Sequence, residues 1–305
     1  MRLPGTDMDV FPISFGTADL GGSGDDAFRL LDTYAEAGGN FIDSAHCYAF
    51  WVGHEGRPER TIGEWLRKSG ARDQVFISTK GGHPPQEGYP HLEDFLAPAA
   101  VQKDVADSHE RLGTGVIDLY YLHRDDGKTP VTEVIDMLNA LPGVRYLGAS
   151  NWSAVRVLEA NAYATQSGQR GFVAVQNQWS LTTPTWKLTT EPTVRWITDE
   201  DHHALVDADI TIHAYSSTGN GYFAGRTENA FGTDENQLLR QKAADLANRL
   251  NKTPTQIALA WLLSQPGSVV PIVGTTKLGH LSEAIGAASI KLDNETRDQL
   301  RALTP

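Results

Sequence analysis

The chain has 305 residues, a formal net charge of −12 and an apolar fraction of 40%, with 7 Trp, 9 Tyr and 10 Phe. That length admits two ordinary domains or one α/β barrel, and the apolar content supplies a sizeable core and excludes disorder. The acidic balance argues against nucleic acid as the main partner, while leaving room for a phosphorylated cofactor held by local basic residues.

Cys47 is the sole cysteine, so no intramolecular disulfide can form, which fits a reducing compartment. Met1 to Asp7 lacks the apolar stretch of a signal peptide, and no apolar run approaches the roughly 18 residues of a membrane span. We therefore expect a cytoplasmic protein that binds neither membrane nor nucleic acid, takes a small molecule as its partner, and exists as a monomer or homo-oligomer.

In chain order, the preamble before Ile13 is too short for a barrel unit and is expected to form a hairpin closing the barrel's bottom. Strand-like apolar runs begin near Ile13, Asn40, Val75, Ile117, Val144, Val173, Ile210 and Val269, each followed by a helical pattern. Apolar side chains on both faces are what a parallel sheet covered by helices requires. Asp25 to Ala37 is amphipathic, with Phe28, Leu31 and Ala35 on one face, and stops at Gly38-Gly39. Pro58, Pro98 and Pro130 stand where first helical residues would, with Thr129 as a candidate cap. Thr253-Pro254-Thr255-Gln256 carries a capping-box pattern opening a helix through Leu263. Eight alternating units without a composition break predict an α/β fold, a single-domain (β/α)8 TIM barrel over residues 1–305, with extra helices. Long loops after the sixth and seventh strands, residues 181–200 and 216–236, are of the length that usually serves as lids or binding loops.

Ionisable residues end consecutive strands: Asp43, Lys80 and His123, with Tyr48 five residues beyond Asp43. In a barrel these converge at the C-terminal rim, where such folds collect their chemistry. A free tyrosine, with a pKa of about 10, is a poor acid at neutral pH. An adjacent ammonium is expected to lower that value, and a carboxylate to hold the ammonium charged. His123 would orient a carbonyl against Tyr48. Taken singly, each residue has a plainer reading as a cap, a solvated rim lysine, a loop histidine or half-buried packing. Together they make a proton donor without a protein nucleophile, suited to a carbonyl attacked by an external hydride.

These residues also carry a resemblance. The Asp43…Tyr48…Lys80…His123 set resembles the catalytic tetrad of the aldo-keto reductase superfamily. Ile13-Ser14-Phe15-Gly16-Thr17, Glu59-Arg60-Thr61-Ile62-Gly63, Arg111-Leu112-Gly113-Thr114 before Ile117-Asp118-Leu119, and Gly148-Ala149-Ser150-Asn151 match further family patterns in the same order. The resemblance implies an eight-stranded barrel that reduces an aldehyde or ketone to an alcohol, Tyr48 being the general acid. It implies NADP(H) as cofactor, with NAD(H) left open because Gly274, His280 and Ala284 depart from the best-known branch. It assigns Ser150, Asn151 and Gln176 to the nicotinamide carboxamide and Tyr215 to ring stacking. Gly16, Thr17, Ser216, Gly219, Gly221 and Gly274 would approach the cofactor. Thr275, Thr276, Lys277 and His280 would hold the 2′-phosphate, and Glu283 the adenine amine.

Phe50, Trp51 and Trp152 are expected to wall the substrate pocket, two or three of the loop tryptophans (Trp179, Trp186 and Trp196 are the others) lining it in all. Trp65 and Trp261 fall in helical patterns and read as packing. A sugar-like or aryl substrate suits such walls, and the short segment after Asn294 suggests an open pocket. His46, His54, His83 and His91 lack metal-ligand spacing and read as solvated loop histidines, so no metal is expected. The alternative function is a nicotinamide-binding regulatory or redox-sensing subunit with weak or no turnover. A glycoside hydrolase would need carboxylates where His123 and Tyr215 stand.

Overall fold

The computed structural model describes residues 1–20, 24–183, 185, 193–226 and 231–302. Eight parallel strands, β1 (Ser14–Gly16), β2 (Phe41–Asp43), β3 (Phe76–Gly81), β4 (Ile117–Leu122), β5 (Val144–Ser150), β6 (Phe172–Gln178), β7 (Thr211–Tyr215) and β8 (Val269–Gly274), pair in sequence order. β8 returns to pair with β1 and closes the barrel, setting Gly16 opposite Gly274. Every residue of β4 is buried. A strand with helices outside and barrel core inside has no face to give to solvent, so its sequence does not alternate.

Among the described residues the outer layer is α1 (Gly24–Glu36), α2 (Arg57–Ser69), α3 (Pro98–Leu112), α4 (Val131–Asn139), α5 (Ala154–Ser167), α6 (Asp199–Asp207), α7 (Asp234–Leu250), α8 (Pro254–Leu263), α9 (Leu278–Gly286) and α10 (Asn294–Arg301). The helix signals hold with two adjustments. Thr253 accepts from the Gln256 amide while the Gln256 side chain accepts from the Thr253 amide, the reciprocal box its sequence announces. Pro98 opens α3 as expected, but Pro58 is the second residue of α2. Pro130, not Thr129, occupies the cap of α4. The Thr129 hydroxyl instead donates to Asp126 at 2.6 Å, because the Asp126 carboxylate also gathers the amides of Lys128 and Thr129 into a turn.

The preamble is a hairpin, Arg2 bridging antiparallel to Asp9. Its Leu3, Met8 and Val10 pack against Phe41, Leu119, Tyr121, Ala174 and Val270 from the barrel interior, which stoppers the end opposite the strand termini that carry the polar residues. No helix among the described residues is long and apolar enough to cross a membrane.

Candidate active site

Asp43 ends β2, Lys80 is the penultimate residue of β3, and His123 follows β4, so three neighbouring strands deliver them to one rim. Lys80 Nζ donates to Asp43 Oδ2 at 2.7 Å, to the Ser44 carbonyl at 2.6 Å and to the Tyr48 hydroxyl at 3.0 Å. Three acceptors for three N–H bonds leave the ammonium fully satisfied, as it must be at 1% exposure. The other carboxylate oxygen of Asp43 accepts from Ser78 Oγ at 2.8 Å and from Gln176 Nε2 at 2.9 Å. The Tyr48 and His123 rings meet edge to face at 6.0 Å.

Burial would pull the Lys80 ammonium down, but the Asp43 carboxylate and the Tyr48 oxygen outweigh it and hold it above the ordinary lysine value. Tyr48 goes against expectation. Burial is the largest influence on its phenol and pushes it above the ordinary value, with Lys80 only partly opposing. The phenol is therefore stored protonated. Burial, reinforced by the Arg124 cation, drives His123 well below the ordinary histidine range and keeps it neutral.

Above this cluster opens a cavity of about 1010 Å³. Asp43, Tyr48 and His123 line it, together with Gly16, Ser150, Asn151, Gln176, Tyr215, Ser216, Gly221, Gly274, Thr275, Thr276, Lys277, His280 and Glu283. Lys80 stands behind Tyr48 rather than in the wall. Asn151, held at φ 61°, ties three strand ends together: its Oδ1 accepts from Tyr215 Oη at 2.6 Å and its Nδ2 donates to the His123 carbonyl at 3.2 Å.

The wall suits a dinucleotide. At Gly274 an added Cβ would stand 3.3 Å from the Gly16 carbonyl oxygen, and at Gly16 it would strike Ile272, so these two residues keep the β1/β8 edge open to close backbone approach. The loop after β7 folds through left-handed residues at Ser216, Gly219, Asn220 and Gly221. Lys277 precedes α9 without a side-chain cap, leaving first-turn amides available to an anion. Two buried atoms in the wall, Gln178 Oε1 and Thr255 Oγ1, have no hydrogen-bond partner.

Several expected residues take other places. Thr17 is fully buried and donates to the Asp43 carbonyl at 2.9 Å, bracing β2 rather than lining the cavity. Gly219, within the loop after β7, is turned toward Thr182 and Tyr222 and does not line the cavity. Trp152 has no exposed surface; its indole packs on Phe172 with the Arg156 guanidinium over it, so it is core and not substrate wall. Trp179 likewise packs on Trp261 and His202; Trp196 meets Phe231, and Trp186 lies outside the described residues. Phe50 sits among Trp51, His83 and Tyr89. Among the described tryptophans, Trp51, 51% exposed and 6.1 Å edge-on from the Tyr48 ring, is the one that stands at the mouth.

The histidines differ most from expectation. His46 and His83 are buried, not solvated. His46 contacts Tyr89 Oη at 2.9 Å and Asp107 at 3.1 Å, while His91 contacts Asp104 at 3.0 Å. For His46 the Asp107 carboxylate on α3, and for His83 the Pro84 carbonyl, are what make that burial tolerable.

Sequence reasoning missed Ser78, Arg124, Gln178, Asn220, Arg226 and Thr255. Ser78 precedes Lys80 by two residues and Gln178 follows Gln176 by two, so strand alternation puts each on its neighbour's face, a signal that was available. Arg124, Asn220 and Arg226 sit in loops and carry none.

The Aldo/keto reductase family model matches residues 12–305. The chain is 34% identical over 321 residues to the aldo-keto reductase str7 of Strobilurus tenacellus, covering 95% of this chain and 87% of that protein. It is 30% identical over 319 residues to the aldo-keto reductase yakc [NADP(+)] of Schizosaccharomyces pombe, covering 96% and 88%. An aryl-alcohol dehydrogenase of Pestalotiopsis microspora is 29% identical over 316 residues, covering 96% and 78%. With a closed eight-stranded parallel barrel and a match over nearly its whole length, the chain belongs to the aldo/keto reductase family, and is an oxidoreductase.

Proposed function

We propose that this protein is an NADP(H)-dependent carbonyl reductase, converting an aldehyde or ketone to an alcohol with Tyr48 as general acid. The observation that carries this reading is the single ammonium of Lys80 bonded at once to Asp43, the Ser44 carbonyl and the Tyr48 hydroxyl, behind the Tyr48 that lines a cavity large enough for a dinucleotide.

When bound, the nicotinamide supplies the hydride. Ser150, Asn151 and Gln176 would hold its carboxamide and Tyr215 would stack on its ring. Thr275, Thr276, Lys277 and His280 would take the adenosine phosphate, and Glu283, whose carboxylate already accepts from Thr253 Oγ1 at 2.5 Å, the adenine amine. Tyr48 gives its proton to the carbonyl oxygen as negative charge develops there. Lys80 stabilises the phenolate left behind, and Asp43 holds Lys80 charged and aimed. Neutral His123 hydrogen-bonds the same oxygen and aligns it. The stored proton on Tyr48 suits reduction directly; alcohol oxidation must first remove it.

Trp51 at the mouth supports an aryl or sugar face as the substrate's remote part. The test is oxidation of NADPH followed with a panel of aryl, sugar-like and short aliphatic carbonyls, with NADH in parallel. We expect turnover of at least one class and faster use of NADPH. Tight NADPH binding with no turnover of any class would instead favour a redox-sensing role.

A further inference from the structure

The ends of β2, β3 and β4 bring together three soft donors that the proposed reduction does not use as a set. Cys47, His83 and His123 each offer one ligand atom, and these atoms lie within 4.8 Å of one another with all three residues buried. Cys47 Sγ and His123 Nδ1 are 3.5 Å apart. A tetrahedral zinc ion, with Zn–S of about 2.3 Å and Zn–N of about 2.0–2.1 Å, separates a sulfur and a nitrogen ligand by roughly that distance. The three ligand atoms span at most 4.8 Å, so the widest pair must close by roughly 1–1.5 Å to complete such a site.

His83 is further prepared for this role. Its Nδ1 donates to the Pro84 carbonyl at 2.8 Å, since a carbonyl oxygen only accepts. That bond selects the tautomer whose Nε2 carries the basic lone pair, the outer contact by which metal-binding histidines are held. His123 lines the large cavity and Cys47 lies directly behind it, so an ion reaches the trio through the substrate's own door.

We propose that Cys47, His83 and His123 form a binding site for a thiophilic divalent cation such as Zn²⁺ or Cd²⁺, and that its occupation blocks carbonyl reduction. Binding breaks the Cys47 S–H bond, releases the proton to solvent and forms a metal–sulfur bond, with no change of oxidation state. A sulfur ligand flanked by two imidazoles selects an ion that binds thiolate strongly, and hard Mg²⁺ and Ca²⁺ with their oxygen preference are excluded. The ion draws His123 toward Cys47 and adds positive charge beside Tyr48, whose ring is 6.0 Å from that of His123.

The site is tested by titrating the full-length protein with CdCl₂, without cofactor or substrate, and reading the cadmium–thiolate charge-transfer band in the ultraviolet. That readout does not depend on the proposed reductase activity, so a failure of either idea is distinguishable from a failure of the other. We expect one equivalent of Cd²⁺ to saturate the wild type, no band in Cys47→Ser, and at least tenfold weaker binding in His83→Gln. In parallel, one equivalent of Zn²⁺ should abolish wild-type NADPH oxidation reversibly on adding EDTA, while both variants keep turnover and lose the sensitivity. Absence of the band, or its persistence unchanged in both variants, would overturn the site. A band without loss of turnover would overturn the block.

Discussion

The Lys80 ammonium lies 3.0 Å from the Tyr48 hydroxyl and 4.7 Å from the centroid of the Tyr48 ring, so one buried cation touches both the acidic atom and the face of the group it serves. The cation favours the phenolate over the phenol, and acts on it through a direct hydrogen bond. Lys80→Met should therefore lower kcat by roughly 10²–10⁴-fold with little change in NADPH affinity, measured as steady-state kcat beside a fluorescence titration with cofactor.

The same substitution bears on stability. Removing Lys80 leaves the buried Asp43 carboxylate with Ser78 and Gln176 as its side-chain donors, and breaking a buried ion pair from one side costs about 3–5 kcal/mol. Adding Asp43→Asn removes the stranded charge. The double variant should recover most of the loss in a denaturant titration while staying inactive; a double variant less stable than Lys80→Met would count against the pairing as described.

His213 in the barrel interior contributes to the pH dependence of the fold. Its Nδ1 is hydrogen-bonded to Tyr121 Oη and its Nε2 is buried without a partner; burial, aided by the Lys80 charge, lowers it to about 3. A folded value below the unfolded one, about 6.5, means the unfolded chain binds the proton first. Its stability contribution is complete above about pH 6.5 and is lost as the pH falls toward 3. Between pH 7 and 5 the wild type should lose about 2 kcal/mol through this group, and His213→Gln should show a correspondingly shallower slope in denaturant midpoints.

Cofactor preference should rest on the end of β8. Lys277→Ala and His280→Ala, separately, should raise KM for NADPH by about tenfold or more, the worth of a charge-assisted hydrogen bond. KM for NADH should barely change. Equal effects on both cofactors would move the 2′-phosphate elsewhere.

The fold was legible because its signals are periodic and local. Buried runs beginning within a residue of the observed strands, and punctuation such as Thr253-Pro254-Thr255-Gln256, fix each β/α unit from near neighbours alone. Asp43, Lys80 and His123 could be found because strand ends map to one rim once the barrel is assumed. What stayed hidden depends on where a side chain turns after leaving the strand. Trp152 and Thr17 follow strand ends as closely as the lining residues do, yet packing against α5 and bonding to the Asp43 carbonyl turn them away. His46 and His83 read as solvated because their partners, Asp107 on α3 and the Pro84 carbonyl, become neighbours only in three dimensions or by local turn geometry. The direction of the Tyr48 shift failed for a related reason: a linear reading sees the lysine but not the burial that outweighs it.

The central claim is that Tyr48 delivers the proton. The most direct measurement is Tyr48→Phe, with NADPH affinity read by fluorescence and turnover of the best carbonyl read by NADPH oxidation on the same preparation. The expected result is cofactor affinity within about twofold of wild type and turnover reduced by at least 10²-fold. Turnover near the wild-type rate in that variant would contradict the assignment.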